Sequence, residues 1–273
     1  MKKLLLSLGL ILATLTSFAW EQRPPLPVQA CQIHSPYGFA QTQRQAQPIC
    51  REAYLVAYDA PAKIPVYVAY TLEPAKALGC FPRTNAFVAD QSVPNGARPD
   101  DYAGTGYDKG HAAPDGDLSW SQQVEYESFL MTNMYPQHGS LNRGIWKLLE
   151  TSVRGWAVQL NQNFTIFAGA IYGPSNPTIG NGVIVPHGYY KIVINNNTGA
   201  VAGWMFPHNK PYGNLGNDLT KFRVPVQQIQ QQAGVQFHFP QNAKELNPGQ
   251  EWPVNYGDLT KAKRAKCGGN ASE

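Results

Sequence analysis

Tyr107-Asp-Lys-Gly-His-Ala-Ala-Pro114 sets a histidine on a tight glycine-proline turn, and Asn142 and Glu150 follow it downstream. Successive α-helical residues turn by about 100°, so side chains eight apart lie about 80° apart. Asn142, Trp146, Glu150 and Arg154 are therefore expected on one i, i+4 stripe. A neutral imidazole, two oxygen donors suited to a hard cation and a guanidinium form a set able to cleave a phosphodiester.

Working outward, residues 1–19 read as an export signal. Lys2 and Lys3 make the positive start, Leu4 to Leu15 the apolar run, and Ser17-Phe18-Ala19 a small-x-small cleavage site. That run is short for a bilayer span of about 20 residues, and no later segment is apolar for long enough. A secreted or periplasmic protein is expected, with no membrane partner. The formal charge of +4 includes the two signal lysines, so the mature chain is nearly neutral. Binding of nucleic acid would then need a local basic patch. Cys31, Cys50, Cys80 and Cys267 all survive signal removal. An even count in an exported chain favours two disulfides, for which three pairings exist. The preferred pairing is Cys31–Cys50, closing a local loop, with Cys80–Cys267 tying down the polar tail. Without a Cys-x-x-Cys pair, a zinc site is not indicated.

Residues 20–50, rich in Pro and Gln, read as an irregular arm, and 51–273 as one domain with a polar C-terminal tail. Ala53 to Tyr58 and Ile64 to Thr71 are β-branched and aromatic runs around turn-forming residues, which predicts a hairpin. Residues 81–107 read as loop. A short helix is expected from Ser119 to Phe129, an extended piece from Leu130 to Gln137, and a long helix over 141–160. Strands follow at Phe164–Tyr172, Gly188–Ile194 and Ala200–Phe206, and a helix at Val224–Gln232 ended by Gly234. Strands in groups with helices between the groups predict an α+β class with a largely antiparallel sheet.

Three ordered segments carry a resemblance. Asp108-Lys-Gly-His-Ala-Ala-Pro114, Thr132-Asn-Met-Tyr-Pro-Gln137 and Asn142-Arg-Gly-Ile-Trp-Lys-Leu-Leu-Glu150 resemble the DNA/RNA non-specific endonucleases, which have the ββα-metal fold. The likeness covers roughly residues 50–240, and the early hairpin suits the family's sheet. It implies that His111 is the general base activating water. Asn142 would be the direct protein ligand of Mg2+ (Mn2+ being the alternative), and Glu150 would position the ion's waters. Arg83 and Arg154 resemble the phosphate-contacting arginines, while Asn133, Gln137 and Asp108 would be supporting polar groups. The family's Asp-Arg-Gly-His is Asp-Lys-Gly-His here, so Lys109 keeps the charge of that contact and loses the planar fork.

The chemistry supports these roles independently. A histidine with an ordinary pKa near 6.5 can take a proton from water at neutral pH. A cation and arginines offset charge growing on phosphate, and contacts confined to phosphate and sugar read no base sequence. The implied partners are DNA and RNA; nothing in the sequence sets the oligomeric state or an inhibitor partner. Other readings are a module that binds nucleic acid or another polyanion without turnover, and hydrolysis of a different phosphodiester. Asn142 alone would read as a helix cap, and Glu150 with Arg154 as a solvated ion pair. Trp146 and Trp156 read as core, and Asp115 and Asp117 as turn residues. His34, His138, His187, His208 and His238 receive no role.

Overall fold

Along the apolar runs, alternate residues face opposite sides of one sheet, and both sides are covered. A computed structural model describes residues 21–208 and 215–268; the expected signal at 1–19 lies outside the described residues. In chain order come β1 (Gln41–Thr42), β2 (Gln47–Cys50), β3 (Leu55–Asp59), β4 (Ile64–Leu72) and α1 (Pro74–Ala77). Next are β5 (Tyr107–His111), α2 (Asp115–Leu118), α3 (Gln122–Ser128), β6 (Met134–His138) and α4 (Lys147–Leu160). Strands β7 (Phe164–Ile171), β8 (Thr178–Ile179), β9 (Val183–Ile184), β10 (Gly188–Asn195) and β11 (Ala200–Pro207) follow. The described chain closes with α5 (Val226–Ala233), β12 (Val235–Gln236), β13 (Lys244–Glu245) and α6 (Tyr256–Cys267).

The central sheet runs β13-β11-β10-β7-β4-β3-β2, antiparallel except for the β11–β13 pair. This is the expected α+β class. The β3–β4 hairpin forms as predicted, and Asp59 secures its turn by accepting from the Ala62 N–H at 3.1 Å. Pro65 offers no N–H to the ladder, and the register slips opposite it, between Ala57 and Tyr58. On one face Val56, Tyr70, Ile166, Tyr189 and Trp204 meet Trp146, Leu149, Val153 and Trp156 from the segment around α4. Trp156 and Trp204 stack at 5.9 Å, so both tryptophans of the long helical segment are core. The other face, with Leu55, Tyr67, Phe167 and Ile192, packs on Ile229 and Ala233 of α5, whose end is Gly234 in a left-handed cap at φ 64°.

Three local expectations change. The histidine turn is a strand: β5 pairs with β6, a partner that local turn chemistry does not reveal. The helix expected over 141–160 is regular only from Lys147, because Gly144 interrupts 141–146 with non-helical torsions of φ −105° and ψ −117°. Asn142 and Glu150 are therefore not on one regular helix. Within 20–50, Val28–His34 form a 3-10 helix and β2 is the sheet edge, held by hydrogen bonds to β3. In the expected polar tail, Tyr256–Cys267 are helical, as α6, and 269–273 lie outside the described residues. Both preferred disulfides form, Cys31–Cys50 and Cys80–Cys267. Among the described residues no helix is long and apolar enough to cross a membrane. Strands β5 and β6 with α4 make a ββα unit over the Trp146 face of the sheet.

Candidate active site

His111 ends β5, and two neighbours, Trp146 and Asn133, clamp the backbone around it. Trp146 Nε1 donates to the His111 carbonyl at 3.2 Å. Ala112 N–H donates to the Asn133 carbonyl at 2.9 Å, and Asn133 Oδ1 accepts from Ala113 N–H at 3.0 Å while its Nδ2 donates back to the Ala113 carbonyl at 2.8 Å. The imidazole lies against Phe87 and Phe129, with ring centroids 5.8 and 5.0 Å away, and His111 is only 7% exposed. Burial pushes its pKa down to about 4; nearby Asp115 works against the shift, Arg83 and Lys191 with it. The ring is thus neutral at physiological pH. Its buried Nε2 has no protein partner.

Glu150 and Arg154 project from α4 one turn apart. Burial raises the Glu150 carboxyl to about 7, opposed by the Lys191 cation, whose Nζ stands 3.6 Å from Oε1. Asn142 precedes the break at Gly144, and its Nδ2 donates to Asp108 Oδ2 on β5 at 2.9 Å. That bond fixes the amide and leaves Oδ1 as its outward acceptor. Arg154 donates to Asp117 Oδ1 at 2.7 Å and to Thr151 Oγ1 at 3.0 Å. Burial disfavours the Arg154 charge, but the adjoining Asp117 more than offsets this and raises its pKa. Asp117, fully buried, also accepts from the Tyr70 hydroxyl at 2.7 Å. Arg83 pairs with Asp115 and lies over the Phe129 ring, 4.9 Å from its centroid. Its loop is anchored where Thr84 N–H donates to buried Glu125 at 2.8 Å. Lys109 holds its ammonium 5.1 Å from the Phe87 ring.

His111, Asn142, Glu150, Arg83, Arg154 and Lys109 all line one pocket of about 240 Å³. Three of the other sequence candidates sit behind it. Asn133 is buried under the His111 backbone, Asp108 orients Asn142, and Gln137 packs against Gly110 with neither amide atom partnered. The reading of Asp115 and Asp117 as turn residues is corrected: each carboxylate holds a pocket arginine, a contact across the fold that spacing does not show. Lys191 was missed entirely. Its place among apolar residues of β10 is the signal, since a lone lysine in a strand buried on both faces needs a partner. It finds two, Glu150 and the Ala112 carbonyl (3.1 Å), and rests 4.2 Å from the Trp146 ring centroid.

Among the described residues no three His, Cys, Asp or Glu side chains gather around a point. A caged transition metal does not suit such a donor set. A hydrated hard cation does, since Mg2+ keeps several waters and takes few protein oxygens. Asn142 and Glu150, whose buried Oε1 accepts no hydrogen bond and has only the Lys191 ammonium at 3.6 Å, fit that ion.

The family model described as DNA/RNA non-specific endonuclease matches residues 34–245. "Nuclease 1, mitochondrial" of Schizosaccharomyces pombe is 31% identical over 209 residues, covering 67% of this chain and 63% of that protein. "Endonuclease G, mitochondrial" of Homo sapiens is 29% identical over 209 residues, 70% of this chain and 69% of the relative. This chain thus spans less than two thirds of the fission yeast protein's length. The solved EndoG/EndoGI complex contains a chain that matches with a TM-score of 0.65 at 25% identity, over 77% of this chain and 91% of its own. These relatives overturn the expected secreted or periplasmic location, since both curated proteins are named as mitochondrial. A basic start without acidic residues is common to export and mitochondrial leaders, so that feature of residues 1–19 does not separate the compartments.

Proposed function

Because this chain belongs to the DNA/RNA non-specific endonuclease family, we propose that it is a metal-dependent endonuclease hydrolysing phosphodiester bonds of DNA and RNA with little sequence preference. One observation carries the reading: a neutral histidine, two oxygen donors and two arginines face a single pocket.

His111 acts as general base, accepting the proton of the attacking water at the ring nitrogen that carries none. The clamps on its backbone fix where that nitrogen sits. Arg83 and Arg154 donate to the phosphate as its negative charge grows, and Asp115 and Asp117 hold each fork in place for that contact. Lys109 adds a third cation as a point charge. Asn142 and Glu150 would hold a divalent cation, Mg2+ with Mn2+ as the alternative. When bound, that ion supplies positive charge to the phosphoryl and leaving oxygens. These contacts involve no base edge, which is the reason to expect weak sequence preference.

The test incubates the purified, disulfide-intact protein with supercoiled plasmid and separately with RNA, under Mg2+ and under EDTA, beside His111→Ala. Cleavage should need the metal and fall about 10²–10⁴-fold in the variant. Folded protein that leaves both substrates intact under every divalent metal would sink the proposal; a gel shift in those lanes would indicate binding without turnover.

A further inference from the structure

The chain carries a formal charge of only +4, so phosphate binding needs cations concentrated in one place. They gather beside the catalytic pocket. A groove of about 410 Å³ runs between α4 and α6, with Lys147, Arg154, Lys263 and Arg264 among its lining and no acidic residue there. It shares Gly116, Lys147, Arg154 and Lys263 with the catalytic pocket, so the two are continuous. Its floor is apolar, from Leu148 and buried Leu259, and Tyr256 stands at the wall 40% exposed.

We propose that this groove is a strand-binding subsite: a single polynucleotide strand leaving the catalytic pocket lays its phosphates on Lys147, Lys263 and Arg264 and stacks a base or sugar on Tyr256. The proposal rests on the nuclease reading above. Cations tracking a backbone beside an aromatic platform are the chemistry that holds single strands without reading sequence. The wall is also fixed in advance. Cys267 is tied to Cys80, and Lys266 Nζ donates to the Ala75 carbonyl at 2.7 Å. Asn255 caps the helix by accepting from Asp258 N–H at 3.1 Å, and the Tyr256 and Ser152 hydroxyls bond at 2.8 Å. A wall held before binding loses little freedom when the strand arrives. Helix α6 lies beyond the family-matched residues 34–245, so its wall of the groove is outside what the family match covers.

The full disulfide-bonded chain, Arg264→Gln and Tyr256→Ala would be compared on a dinucleotide and on an oligothymidylate of about twenty nucleotides, long enough to overrun such a groove. In the wild type, kcat/KM should rise from the short to the long substrate. Arg264→Gln should lower the slope of log KM against log salt on the long substrate by about 0.7, the value for one phosphate contact on a single strand. Tyr256→Ala should raise that KM at least about fivefold, as loss of one stacked base implies. Arg264 is exposed, so its variant tests the contact and not folding. An equal loss on the dinucleotide, or wild-type values in both variants, overturns the subsite. Should the wild type leave these substrates and also plasmid and RNA intact, the nuclease reading fails, and anisotropy titration of labelled oligothymidylate decides the groove, as it does when only these two short substrates resist cleavage. Weaker binding by both variants then supports it; equal binding, or none by the wild type, overturns it.

Discussion

Burial drives His111 and Glu150 toward neutrality, with opposite consequences for pH. His111, pushed down to about 4, is a competent proton acceptor throughout the neutral range. Glu150, pushed up to about 7, gains its charge only as the pH rises through that value. The acid limb of kcat/KM at low metal is therefore expected near pH 7 and belongs to Glu150. More metal should draw the limb toward acid, because a neighbouring cation favours the carboxylate. Lys191→Met removes the ammonium that lowers the Glu150 pKa, so the limb should move to higher pH. Glu150 can take up a proton there, so the stability loss should stay below the roughly 3–5 kcal/mol of a stranded buried charge. A pH–rate profile of both proteins checks this. A limb near pH 4, unmoved in the variant, would assign control to His111 and remove Lys191 from the site's chemistry.

Among the elements, the β5–β6 ribbon sets the position of His111, and Gly110 is what lets the two strands close. A Cβ there would overlap the Gln137 side chain, which crosses over it from β6. The glycine is required by that approach alone, since its φ is not in the left-handed region. Gly110→Ala should cost about 1–3 kcal/mol, the usual penalty for overpacking, and lower activity because His111 is the next residue on the strand. Thermal melts should show a drop of about 2–4 °C for each kcal/mol. An unchanged melting temperature would mean that Gln137 moves aside freely. The interruption at Gly144 acts at the same scale. It separates Asn142 from the regular turns of α4, where Asp108 on β5 can fix its amide. Asn142, Glu150 and Arg154 of the expected stripe thus reach one pocket by a different route, part helix and part strand contact, while Trp146 is core.

For the whole molecule, the Cys80–Cys267 bond joins residues 187 apart and pins α6 beside the pocket. Replacing both cysteines with alanine should cost about 2–5 kcal/mol, mainly through freedom regained by the unfolded chain. It should also raise KM on long substrates, because the α6 wall of the groove loses its anchor. Denaturant unfolding beside the oligonucleotide assay separates the two effects. Wild-type stability would show that the remaining α6 contacts suffice to hold the helix.

The amino-acid sequence by itself determined β3, β4, β7, β10 and β11 of the sheet but not its edge strands β2 and β13, together with the α+β class and the principal residues that line the pocket. Alternating burial and clustered motif residues are local properties, and His111, Asn142 and Glu150 fall within one ββα unit. Family resemblance supplied Arg83, whose distance along the chain carries no local pattern. Tertiary structure alone decided that Tyr107–His111 is a strand and that Asp115 and Asp117 hold the arginines. It also placed Lys191 between Glu150 and Ala112, and made α6 a groove wall. Each of these depends on contacts between residues far apart in sequence, and periodicity does not encode them. The shifted acidities of His111 and Glu150 belong with them, because desolvation is the summed effect of everything packed around a group.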